Sequence, residues 1–316
     1  MRIIFMGTPD FAVQVLQALL QSEHEVIGVY TQPDKPKGRG KSMQYTPVKE
    51  LALEHQIPVY QPAKIRELQV IEELKQLKPD VIVVVAFGQI LPEAVLQIPP
   101  YGCVNVHASL LPKYRGAAPI QWAILDGEQE SGVTTMYMAK GLDTGDMIEQ
   151  TVVPIAPKET GGSYHDKLAA AGAELCLSTL HKLENGTAER IPQDDEQSCY
   201  AHMLNKSMGN LDFHKSAVEL ERFIRGLNPW PSAYSKINGK NIKIYEADIV
   251  AEEALSDSDK REEAGMVLAV DKQTFLVRCG DGALKIRSLQ LEGKKRMDTA
   301  AFLLGYKIEA GMKLGI

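Results

Sequence analysis

The chain has 316 residues, 44% apolar and 24% charged, with a formal net charge of −6; it can bury a sizeable core, is not disordered, and is long enough for two domains of ordinary size. Its longest apolar run, residues 81–87, is too short to span a bilayer, and the polar turn after MRIIFM fits neither a secretory signal nor an Arg-rich transit peptide. Four separated cysteines (Cys103, Cys176, Cys199 and Cys279) form no CxxC pair, which argues against a disulfide scaffold or a zinc site and suits a reducing, cytoplasmic setting.

Residues 2–7 read as a buried strand. Thr8 offers an N-cap, Pro9 suits a first helical position, and Phe11, Val15, Leu16, Leu19 and Leu20 form a helical stripe. Residues 25–31 predict a second strand, residues 32–46 a loop rich in Pro, Gly and cations, and Pro47 the start of another helix. Leu68, Ile71, Leu74 and Leu77 predict a helix over 67–77, which leads through Pro79-Asp80 into the strand VIVVVAF. The next strand, CVNVHASL, covers 103–110 and is followed by a Gly-containing loop and a helix. This alternation predicts an α/β unit: a Rossmann-type, doubly wound, mostly parallel sheet with helices on both faces.

Residues 134–139 and 147–155 read as two strands around the turn GLDTGD, and 160–184 as a long Ala-rich helix. A polar connection runs from about 185 to 210. Beyond it, 217–227 predict a helix that ends at Asn228-Pro229. Short strands follow at 233–237, 242–245, 265–269, 275–278 and 283–291, with turn signals at Asn238-Gly239 and Asp281-Gly282. One helix with five short strands predicts a small OB-like β-barrel. The expected domain plan is residues 1–189, a linker over 190–208, and a barrel over 209–316.

Charge is divided unevenly between these parts. Residues 1–205 carry 17 Lys and Arg against 25 Asp and Glu, whereas residues 206–316 carry 18 against 16. Eight of those 16 acids fall within 246–263, so the rest of the second part is strongly cationic. The acidic half has its own basic spot, KPKGRGK at 35–41. Two cationic patches on different parts of the chain fit a polyanionic partner that touches both, although Lys-rich surfaces also serve solubility alone.

The first strand–turn, FMGTPDF, lacks the GxGxxG fingerprint, which disfavours an NAD enzyme. The strand at 103–110 carries more. Asn105 and His107 are two residues apart and share one face of an extended strand. A buried His bonded to a backbone carbonyl is a common structural feature, but polar groups on a core face cost energy unless they are used. The following loop and helix are also how open α/β sheets build a site beyond their strand ends. In GLDTGD, two glycines bracket Asp143 and Thr144 in a tight turn that presents a carboxylate. With no Ser or Cys beside them, Asn, His and Asp make no covalent-nucleophile triad. They suit acyl transfer in which the substrate supplies the nucleophile: an amide donates to an oxyanion, an imidazole steadies charge or relays a proton, and a carboxylate orients the imidazole.

The stretch NVHASLLPKYRGAAP followed by GLDTGD resembles the folate-dependent formyltransferases. The resemblance implies a catalytic trio of Asn105, His107 and Asp143. It also implies a formyl donor, 10-formyltetrahydrofolate, whose pterin lies in an apolar slot formed by Phe87, Gly88, Gln89, Ile90 and Leu91 and by Met138, Ala139, Lys140, Gly141 and Leu142. Ser109, Leu110, Leu111 and Pro112 would border the folate, and no metal is expected. MGTPDFAV, TQPDKP with GRGK, VVVAFGQILP and LERFIRGLNPWPSAY extend the resemblance over essentially the whole chain, toward members that act on a charged initiator tRNA. That implies formylation of the α-amino group of methionyl initiator tRNA, a monomer, a tRNA-binding barrel domain, and tRNA contacts from Lys35, Lys37, Arg39 and Lys41. The alternative within the family is a related formyltransferase acting on the amine of a sugar nucleotide or glycinamide nucleotide. From another class, a non-catalytic nucleic-acid-binding protein with an OB-type barrel would leave Asn105 and His107 structural.

Overall fold

The computed structural model describes residues 1–37 and 42–315, with Lys37 and Ser42 described through their backbones only. The described residues form two compact units. One comprises Met1–Pro119, Glu130–Pro154 and His165–His202; the other comprises Ile120–Gln129, Ile155–Tyr164 and Met203–Ile316. Two segments that precede residue 165 therefore belong with the C-terminal unit.

In chain order the first 201 residues hold β1 (Arg2–Gly7), α1 (Asp10–Gln21), β2 (Glu25–Tyr30), β3 (Lys35–Lys37), β4 (Ser42–Gln44), α2 (Pro47–Glu54), β5 (Val59–Tyr60), α3 (Leu68–Leu77), β6 (Val81–Val85), α4 (Glu93–Leu96), β7 (Cys103–His107), β8 (Arg115–Gly116), α5 (Pro119–Asp126), β9 (Glu130–Tyr137), β10 (Met147–Pro154), α6 (Gly161–Glu184) and β11 (Tyr200–Ala201). A sheet of order β10-β9-β7-β6-β1-β2-β5 organises the first unit. β1, β2, β5, β6 and β7 are parallel, while β9 runs antiparallel to both its neighbours. The chain winds outward from β1 in one direction through β2 and β5, and in the other through β6 and β7. The switch point therefore lies between β1 and β6, where open α/β sheets place their ligands.

Continuous apolar runs such as VIVVV need cover on both faces. On one face, Ile4, Met6, Ile82, Val84 and Cys103 pack with Ile71 and Leu74 of α3 and Val95 of α4. On the other, Gly172 brings α6 against Val106 and Val133.

Several local expectations are corrected. Thr8 does not cap α1: the N-cap is Pro9, without a side-chain cap bond. The Thr8 hydroxyl instead donates to the Phe87 carbonyl (3.0 Å) and accepts from the Gln32 N–H (3.3 Å), tying the ends of β1, β2 and β6 together. The cation-rich loop contains a short hairpin, β3 with β4. Strand β6 stops at Val85 because Ala86 turns left-handed (φ 47°). Strand β7 stops at His107; the Ser109 carbonyl accepts the Thr134 hydroxyl (2.7 Å) rather than a ladder N–H.

The second unit contains α7 (Ala217–Gly226), β12 (Ala233–Ile237), β13 (Lys240–Val250), β14 (Val267–Val270), β15 (Phe275–Arg278), β16 (Ala283–Leu291), β17 (Met297–Asp298) and α8 (Thr299–Gly305). The expected helix is present, and Ser216 and Glu219, not read beforehand, form a reciprocal capping box at its start. Asn238 (φ 49°) and Gly239 (φ 72°) turn the chain between β12 and β13. The antiparallel sheet runs β12-β13-β16-β15-β14, with β17 on β16. β13 is longer than its apolar core predicts: Lys240 and Asn241 pair with β12, and residues 246–250 stay paired with β16 across register shifts around Glu246. The C-terminal segment bonds to both sheet edges: Val267 N–H to the Met312 carbonyl (2.7 Å), Leu314 N–H to Gly265 (2.8 Å) and Gly315 N–H to Lys236 (2.9 Å). That lacing closes the sheet into an OB-like form around Ile244, Val277, Leu284, Ile286 and Leu289. Neither β17 nor α8 carries a pattern strong enough to be read beforehand. Among the described residues, no helix is long and apolar enough to cross a membrane.

Candidate active site

Cys103, Asn105 and His107 alternate with Val104 and Val106 along β7, so the polar pair faces the side of the sheet opposite α6. Both side chains are nearly buried, at 8% and 6% exposure. His107 Nε2 lies 2.9 Å from the Tyr114 carbonyl. A carbonyl only accepts, so Nε2 carries the hydrogen and Nδ1 is the nitrogen left for chemistry. Nδ1 lies 3.7 Å from Asp143 Oδ2, near enough for charge to be felt and too far for a hydrogen bond. Asn105 makes no side-chain hydrogen bond among the described residues. Its amide is not among the fully buried unpaired groups, so it still reaches solvent and stands open to a ligand.

The register of β9 explains how Asp143 reaches this place. Tyr137 pairs with Val104 and Thr134 with His107, so β9 ends near the start of β7. With β6 and β9 flanking β7, the connection over 138–146 must return along the face of the sheet to bring Asp143 beside His107. The turn is tight: a Cβ on Gly145 would lie 1.7 Å from the Tyr137 carbonyl oxygen, so only glycine fits. Asp143 itself is left-handed (φ 53°), and its Oδ2 accepts the Gly116 N–H (2.8 Å). Gly116 (φ 114°) is pressed against Ala201 in the β8–β11 pair, where a Cβ would come within 2.8 Å of the Ala201 carbonyl oxygen. Ala86, Tyr114 and Asp143 are all non-glycine residues held at positive φ around this face, and such strain persists where function or packing requires it.

The other expected site residues are distributed as follows. Phe87 and Leu91 are buried in the cluster that Met138 also packs against, so the two expected slot segments meet one apolar core. Ile90 and Leu142 are large apolar side chains left exposed, at 79% and 52%. Gly88 is left-handed (φ 84°). The Gln89 side chain is committed elsewhere: its oxygen accepts the Ile65 N–H (2.7 Å) and its nitrogen donates to the Pro62 carbonyl (3.1 Å), leaving its backbone for a ligand. Ala139, Lys140 and Gly141 lead into the Asp143 turn, and all three are exposed. Ser109 is fully buried and donates to the Lys113 carbonyl (2.7 Å); it shapes the loop rather than offering its hydroxyl. Leu111 is buried, and its N–H donates to Thr134 Oγ1 (3.1 Å). Leu110 borders Gly132, and Pro112 follows through a cis peptide bond.

Lys35 is exposed in β3, and Lys37, described through its backbone only, is the last residue of that strand. Arg39 and Lys41 lie outside the described residues. The hairpin is anchored by Asp34, which accepts from Lys49 Nζ (2.5 Å) and Gln61 Nε2 (2.8 Å). The Lys49 bond holds the Asp34 carboxyl below its ordinary range, ahead of the opposing effect of burial.

Tyr114, Gly116 and Gln193 were missed by sequence reasoning as site residues. Tyr114 and Gly116 lie in the quoted stretch KYRGAAP, where the glycine was the available signal. Gln193 lies in a polar connection with no periodicity to mark it. Burial pushes the Cys103 thiol up to about 12, so the sulfur on this face stays protonated.

Residues 1–180 match the formyl transferase family model, and residues 203–307 match the model of the formyl transferase C-terminal domain. A methionyl-tRNA formyltransferase of Agathobacter rectalis is 55% identical over 311 residues, covering 98% of both chains. One of Lachnospira eligens is 54% identical over 315 residues, covering 100% of both. Among solved structures, an N-formyltransferase of Helicobacter canadensis, in complex with folinic acid and dTDP-3-aminofucose, superposes with a TM-score of 0.65 at 22% identity, over 90% of this chain and 98% of that one.

Proposed function

The chain belongs to the formyl transferase family, and from that premise we propose that it moves the formyl group of 10-formyltetrahydrofolate to the α-amino group of methionyl initiator tRNA. The observation that carries the substrate is identity above 50%, end to end, to methionyl-tRNA formyltransferases. The sugar-nucleotide enzyme shares the fold at 22%. The cationic patches support a polyanionic substrate, and the separated cysteines support a cytoplasmic setting. The protein works as a monomer.

The donor supplies an activated formyl carbon and a nitrogen leaving group. Asn105, with its amide uncommitted, donates to the formyl oxygen as negative charge develops there. His107 is held by Tyr114 through Nε2, so Nδ1 takes the proton shed by the attacking amine. Asp143, 3.7 Å away, balances the charge that His107 gains. The same proton then passes to the leaving nitrogen, so the amine gains formyl, the donor regains hydrogen, and no covalent enzyme species is required. The apolar side chains at 87–91 and 138–142 bind the donor's ring and exclude water, with Ser109 to Pro112 bordering it.

Steady-state formylation tests this reading. Purified protein with 10-formyltetrahydrofolate should formylate methionyl initiator tRNA far faster than methionyl elongator tRNA, and should leave dTDP-amino sugars untouched. Asn105→Ala should lower kcat by about 100–1,000-fold, and His107→Ala by about 100–10,000-fold. Transfer to the amino sugar without transfer to tRNA would overturn the substrate, and near-normal turnover of either variant would overturn its assigned role.

A further inference from the structure

Among the side chains that the connection between the two family-matched regions sends to the site, Gln193 reaches the Asp143 turn. Gln193 lies beyond residue 180 and before residue 203, in a stretch whose composition marks it only as polar. Its Nε2 donates to the Asp143 carbonyl (2.9 Å) and to the Gly145 carbonyl (2.8 Å). Its Oε1 accepts from Arg115 Nε (2.9 Å), and Arg115 also reaches Asp195 (2.7 Å). The amide orientation follows from chemistry: carbonyls only accept and a guanidinium only donates.

We propose that Gln193 is a positioning residue for the transfer, its amide pinning the Asp143–Gly145 turn from the backbone side so that the Asp143 carboxylate stays beside His107. Asp143 is left-handed and bracketed by a glycine-rich loop, a conformation that needs external support. The Gly116 N–H grips its carboxylate from one side, and Gln193 grips its main chain from the other. Arg115, next to Gly116 in sequence, bonds the oxygen of the same Gln193 amide. One amide thus links the loop that presents Asp143 to the strand that receives it. A displacement of this turn by an ångström separates charge from His107, and misplacements of that size slow transfer by up to about 100-fold.

This inference rests on the role assigned to Asp143, and the test separates the two. Full-length Gln193→Ala, Gln193→Glu, Asp143→Asn and the double variant Gln193→Ala/Asp143→Asn are compared by steady-state formylation and thermal unfolding. Gln193→Glu keeps an acceptor for Arg115 but has no donor for the two carbonyls. Both Gln193 variants should lose about 10–100-fold in kcat, with KM for both substrates within about twofold and the thermal midpoint little changed. The double variant should be no slower than Asp143→Asn alone, within about threefold, because the effects run through one group. Wild-type kcat in Gln193→Glu, or losses that multiply in the double variant, would overturn the positioning role while leaving Asp143 in place. Full activity in Asp143→Asn would overturn both.

Discussion

At the scale of single residues, chemistry depends on which polar atoms the protein has left uncommitted. Ser109 and Gln89 were expected beside the folate and Thr8 at the cap of α1, yet each spends its side chain on a neighbouring backbone. Asn105 does not, and this contrast singles it out more firmly than its residue type does. Cysteine follows the same logic. Burial raises Cys103, Cys176 and Cys279 to about 12, so all three remain neutral thiols at pH 8, whereas Cys199 is exposed. A maleimide at pH 8 should therefore modify Cys199 alone in the native protein, and all four cysteines in denaturant, read by intact mass. Rapid modification of a second cysteine without denaturant would contradict the burial described.

At the scale of elements, the α7 cap is the clearest case of a sequence signal becoming a structural device. Ser216 Oγ accepts the Glu219 N–H (3.2 Å), while the Glu219 carboxylate accepts both the Ser216 N–H (3.1 Å) and its hydroxyl (2.8 Å). Ser216→Ala should cost about 1 kcal/mol, read as a lower urea midpoint for the second unit at pH 7. The bonds from Ser216 hold the Glu219 carboxyl below its ordinary value of 4.5. Its contribution is therefore complete above that pH and disappears as pH falls through the lower folded value. The gap between wild type and Ser216→Ala should narrow in acid; a gap that stays constant to pH 3 would remove Glu219 from the cap. Elements were legible where they were long and apolar: β6, β7, α6 and β16 were predicted within a few residues. The two-residue strands β5, β8 and β11 were not, because their pairing is set by distant partners and leaves no periodicity.

At the scale of the whole molecule, charge supplies the prediction. The overall −6 disguises a basic segment at 35–41 and a cationic remainder in the C-terminal part. Raising salt from about 50 to 200 mM should increase KM for the tRNA substrate by about tenfold or more, while KM for the folate donor stays within about twofold. Equal responses would show that phosphate contacts do not govern binding.

The local chemistry was written in the chain itself. Alternation placed Asn105 and His107 on one face, and glycines marked the turn that carries Asp143. Apolar runs foretold a parallel sheet, and short strands an antiparallel unit. Tertiary structure alone decided that β9 runs antiparallel, so that its following loop doubles back onto β7. It also decided that Gln193 crosses 50 residues to hold that loop, and that residues 120–129 and 155–164 join the C-terminal unit. Periodicity reports which face of an element is buried, because that depends on neighbours three or four residues away. It is silent on which distant element supplies the burial, since that is settled by register and by chain paths no local pattern records.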